Sequence, residues 1–245
     1  MKKHLSVLAL AVYRTLFWVL AVCMVAALAQ IGLCAFQILR AGSQERASYT
    51  LEQLIEQPSF GRIGGIAFLA VCAVLCFCGC DRATSRSGYT MRRLQIDERA
   101  AVGWASVSNA GVLALLWGSQ LAASLAVNLI LRRAVGPQPD AQTLLIAFYR
   151  SEYLHALLPM REFSLLIRNL LLLLALAVSC AIFSYHQRRG GYRLEPLILV
   201  LLTLFYFPQQ AGSLDADLVL MLAAVAGIVS SLYSLWGGAK DEMSS

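Results

Sequence analysis

The chain has 245 residues, 59 % of them hydrophobic and only 14 % charged, with a formal net charge of +6. Soluble domains run at about 45–50 % apolar and about 25 % charged, so an ordinary soluble globule is excluded. The hydrophobic runs are apolar on all sides instead of alternating, which excludes a membrane β-barrel and predicts an all-α, polytopic membrane protein, a single transmembrane domain over residues 1–245. The positive charge reads as basic loops that set the topology and not as a nucleic-acid surface, since no aromatic-studded basic domain accompanies it.

Taken in order, residues 3–14 predict an interfacial helix on the cytoplasmic face. A cleaved signal peptide fits poorly: Arg14 interrupts the apolar region, and the run continues to Leu39. A first span follows at about 15–39, then a loop in which Leu51, Leu54 and Ile55 recur at helical spacing and predict a short helix on the outer surface. The second span covers about 63–80, with Gly61, Gly64 and Gly65 marking a turn or a close approach at its start. Between it and the third span, about 99–131, lies a polar island holding Arg82, Arg86, Arg92, Arg93 and Arg99, with Asp97 placed to cap the helix that follows. Charged side chains cost about 2.5–3.5 kcal/mol each at a bilayer centre, so the island lies in water, and its arginines hold it on the cytoplasmic side.

The second outer loop begins with the turn-rich G-P-Q-P-D at Gly136. Leu144, Leu145, Phe148, Leu154, Leu157 and Leu158 then alternate with Arg150, Glu152 and His155, as an amphipathic helix would. The fourth span covers about 164–186. The fifth, about 194–210, is short, opened by Glu195-Pro196 and closed by Pro208, and a re-entrant course stays open for it. The sixth covers about 216–237. Six spans place both termini in the cytoplasm, and Lys and Arg are denser in the inner segments than in the outer ones.

Little in the sequence carries chemistry. The phosphate-binding G-x-x-x-x-G-K-[ST], G-x-S-x-G and H-E-x-x-H are all absent. Glu152 and His155 have E-x-x-H spacing, but no second copy supports a metal site. The seven cysteines sit in or beside apolar runs and read as small packing residues, not as a disulfide framework. No catalytic residue, metal or cofactor is expected. The third span is more informative, because Ser106, Asn109, Gln120, Ser124 and Asn128 fall within about 100° on a helical wheel. Such a face serves either as hydrogen-bonding glue between helices or as the lining of a translocation path.

The polar island includes Gly88-Tyr89-Thr90-Met91-Arg92-Arg93-Leu94-Gln95-Ile96, which resembles the aromatic-Thr-x-x-Arg-Leu pattern of small bacterial permease-like proteins. His155-Ala156-Leu157-Leu158-Pro159 is similar to the outer loop of that group. With six spans and a leading interfacial helix, the chain looks like the permease subunit of a type-2 ABC exporter. That resemblance implies a non-enzymatic subunit of the bacterial plasma membrane, in contact with lipid and paired with a second permease subunit as a homo- or heterodimer. It implies a separate ATP-binding subunit that docks on the loop carrying Tyr89, Met91, Arg92, Arg93, Leu94 and Ile96. A departure accompanies it: residues 209–215 are too few for the re-entrant helices such exporters carry between spans five and six. The alternatives are a loop that only meets anionic headgroups and a chain that is a non-transporting scaffold or regulatory protein.

Overall fold

The computed structural model describes residues 2–41, 49–78, 97–135, 142–159, 162–188, 191, 194–206 and 214–242. In a bilayer each backbone N–H and C=O must be paired within the segment, so long apolar runs become helices. The described residues form α1 (Lys2–Arg40), α2 (Leu51–Ile55), α3 (Pro58–Cys78), α4 (Glu98–Val135), α5 (Gln142–Arg150), α6 (Glu152–Leu157), α7 (Phe163–Arg188), α8 (Glu195–Tyr206) and α9 (Leu214–Glu242), with no strand among them. Five of these, α1, α3, α4, α7 and α9, contain stretches long and apolar enough to cross a membrane.

Local chemistry sets several boundaries. Pro58 opens α3, where a missing N–H costs no helical bond. Thr50 and Gln53 form a capping box on α2. Asp97 accepts from the Arg99 amide at 3.3 Å at the start of α4. The stretch expected as one amphipathic helix is two, because Ser151 breaks it and caps α6 through the Leu154 amide. Residues 3–14, expected as a separate interfacial helix, continue without interruption into α1. The segment expected to span at 194–210 holds the 12-residue α8. At about 1.5 Å per residue α8 is near 18 Å long, well short of the roughly 30 Å hydrocarbon core.

Helix α7 is the hub. Of its most apolar 18-residue stretch 61 % is buried, against 28–39 % in the other four long helices. It packs on α4, α9, α8 and α3, while α1 packs on α4 and α3. Val19, Val71, Ala175, Cys180, Leu220 and Ala224 form the central core. At one end Cys34, Ile38, Leu54, Phe60, Val127, Phe148 and Leu154 gather α2, α5 and α6 onto the bundle. This is the capped end. At the opposite end Val102, Ile182, Tyr185 and Leu235 pack together, and the Arg99 guanidinium lies 5.8 Å from the Trp236 ring. Phe17, Trp18, Met24, Leu129 and Leu222 point outward, as a lipid-facing belt requires.

Candidate functional site

A cavity of about 700 Å³ lies toward the capped end, between α3, α4, α7 and α8 and beneath α6. Most of its wall is apolar: Phe68, Leu113, Leu116, Leu172, Leu176 and Leu204 all face it. Thr203, Asn169, Tyr153 and Gln120 add polar groups to that wall, and Glu56, Gln57, Arg62 and Glu152 also line the space. It is half open, and among its lining residues Ile66 and Leu69, as well as Glu56, Arg62 and Glu152, are exposed.

Two polar knots brace this region. Gln120 Oε1 accepts from Gln30 Nε2 at 2.8 Å and from the Tyr153 hydroxyl at 3.1 Å. Gln30 Nε2 also donates to the Phe60 carbonyl at 3.2 Å, which fixes the direction of its amide. Gln30 Oε1 and Gln120 Nε2 then have no partner among the described residues. Burial pushes the Tyr153 phenol above its ordinary range, so it remains a protonated donor. Gly64 makes the knot possible, since a Cβ there would stand 2.8 Å from the Tyr153 hydroxyl and 3.1 Å from Gln120 Oε1.

In the second knot Arg168 Nη1 meets Asp217 Oδ1 at 2.6 Å, with both side chains almost wholly buried. Arg168 also donates from Nε and Nη2 to Asn169 Oδ1, and Asn169 Nδ2 donates to the Ala156 carbonyl at 2.7 Å. The chain of contacts joins α9 to α7 and α7 to α6, passing through Asn169 of the cavity wall. Nearer the opposite end, Glu195 accepts from Ser230 and Ser231, and Ser231 lies 3.3 Å from Ser179.

The polar face expected on α4 is buried but not shared by one space. Of its members only Gln120 lines the cavity. Asn109 donates to the Ala177 carbonyl of α7, while Ser106 and Ser124 bond back to the carbonyls of Val102 and Gln120 on their own helix. Asn128 is buried. Tyr89, Met91, Arg92, Arg93, Leu94 and Ile96 lie outside the described residues. Comparison with known protein families, with curated proteins and with solved structures finds no match. The site therefore rests on its own geometry.

That geometry offers no metal centre among the described residues, where no three of His, Cys, Asp and Glu converge. Cys76 and Cys180 approach to 3.6 Å as free thiols, one donating to the other. Sequence reasoning missed Gln30, Tyr153, Arg168 and Asp217. A lone Gln in an apolar run, and an Arg inside one span with an Asp at the start of another, were the available signals.

Proposed function

We propose that the chain is the permease-like membrane subunit of an ABC exporter, not an enzyme itself, which couples ATP hydrolysis on a separate subunit to movement of a substrate. The observation that supports this reading over a purely structural one is the half-open cavity of about 700 Å³ inside the helix bundle. A scaffold has no need of such a space, whereas a carrier must hold its cargo among its helices. In this reading the subunit pairs with a second permease chain in the bacterial plasma membrane, crosses it six times, keeps both termini in the cytoplasm, and docks the ATPase on the loop around Arg92 and Arg93.

A second reading, a non-transporting scaffold or regulatory protein, is favoured by one observation: Asn109, Ser106 and Ser124 spend their hydrogen bonds on helix carbonyls. Gentle detergent extraction from the native host separates the two. The exporter reading expects an ATPase to co-purify, and expects Arg92→Glu with Arg93→Glu to weaken that complex more than tenfold, as loss of a desolvated charge contact worth about 2–5 kcal/mol does. Absence of any ATPase from the wild-type preparation would overturn it.

A further inference from the structure

The cavity combines features that together select one class of ligand. Its interior is alkane-like, built from Leu113, Leu116, Leu172, Leu173, Leu176 and Leu204. Its volume of about 700 Å³ lies inside the roughly 300–1,000 Å³ range of small-molecule sites. The cavity is half open, and Ile66 and Leu69 in its lining are exposed apolar side chains, which gives a ligand a way in from the bilayer. The charged lining is not of one sign. Arg62 on the first turns of α3 supplies a guanidinium, and Glu56 at the end of α2 supplies a carboxylate; both are exposed at the capped end, and Glu152 adds a second carboxylate to the lining. Gln120 belongs to the same lining, with its own Nε2 buried.

We infer that this cavity is a lateral-access binding site for a zwitterionic glycerophospholipid, one alkyl chain among the leucines and the headgroup at the capped end. Arg62 matches the phosphate, for which a guanidinium is the preferred partner. Glu56 matches the ammonium. The second alkyl chain stays in the bilayer through the open side. The inference uses the same cavity as the exporter reading but needs no ATPase, so the two fail separately.

The sequence supplies its own blocking variant. Gly61 lines the cavity, and a Cβ there would meet nothing within 4 Å, so a large side chain enters the space without a clash at its root. Gly111 on α4 is equally uncrowded and is not part of the lining, which makes it the control. The purified chain, without any ATPase, is titrated with phosphatidylethanolamine and with phosphatidylglycerol of matched chains, and bound lipid is counted by native mass spectrometry. Wild type and Gly111→Phe are expected to retain one phosphatidylethanolamine, held at least about tenfold more tightly than phosphatidylglycerol. Gly61→Phe is expected to lose that retention, and Arg62→Glu to weaken it by about tenfold. Equal retention of both lipids, or full retention by a folded Gly61→Phe chain, would overturn the inference. Should Gly61→Phe not fold, wild type decides: phosphatidylethanolamine with a photoreactive group in its chain should label residues 61–69 and 172–176. Labelling spread evenly over outward-facing Phe17, Leu129 and Leu222 would mark ordinary boundary lipid and overturn it. Lipid bound by a chain that recovers no ATPase would uphold this site and sink the exporter reading alone.

Discussion

Replacing either Arg168 or Asp217 alone strands the other charge in a buried site. The guanidinium and the carboxylate are 2.6 Å apart with side-chain exposures of 2 % and 6 %. Breaking such a pair from one side typically costs about 3–5 kcal/mol, whereas removing both charges together is often neutral. Arg168→Met and Asp217→Leu are therefore each expected to lower thermal stability in detergent sharply, and the double variant to regain most of it. Fluorescence-monitored unfolding checks this; a double variant no better than the singles would mean the charges do not act as a pair. This contact was poorly legible in the sequence. Arg168 lies near the start of the fourth span, and its partner is 49 positions away on another helix. Likewise the polar character of Gln120 was plain, but not that Gln30 and Tyr153 would converge on its carbonyl oxygen, since that depends on how three helices meet.

At the scale of elements, α6 is too short to hold itself. It has six residues, fewer than an isolated helix needs in water. It is fastened by burial of Leu154 and Leu157 and by three side-chain hydrogen bonds to the long helices: Tyr153 to Gln120, Asn169 to the Ala156 carbonyl, and Trp117 Nε1 to the Leu157 carbonyl at 2.7 Å. Trp117→Phe keeps an aromatic ring there and deletes one donor, a loss of about 1 kcal/mol. Amide exchange over residues 153–158 is expected to quicken about fivefold while α7 stays protected; unchanged exchange in α6 would show that burial alone fastens it. The hydropathy of the long runs made five helices legible. Where they begin and break was less so. Nothing in residues 3–14 distinguishes a helix lying on the surface from the opening turns of α1, because a basic, moderately apolar stretch suits both. The break at Ser151 had a signal, a capping residue directly before Glu152, but the leucine pattern runs across it.

For the molecule as a whole, the direction of α9 decides where the chain ends. Its contacts with α7 advance together along both helices: Asp217 with Arg168, Ser231 with Ser179, Ser234 with His186. Helices α7 and α9 therefore run the same way, from the capped end to the opposite end. Glu195, at the start of α8, bonds to Ser230 and Ser231, which places the α8 start at the opposite end. The chain thus enters α8 at one end of the bundle and begins α9 at the other, although α8 alone is too short to span. Five long helices consequently leave the start of α1 and the end of α9 at the same end, as six crossings would. Single cysteines introduced into a chain stripped of its native cysteines test this arrangement. Asp97→Cys and Gly191→Cys are expected to share one accessibility to an impermeant reagent in intact cells, and Thr50→Cys and Glu152→Cys the other. If the basic loop is cytoplasmic, the first pair is protected and the second reacts. A Gly191→Cys chain that labels together with Thr50→Cys would place the α7 end on the same side as α2. That would contradict the course of α7 from the capped end to the opposite end, whatever the basic loop does.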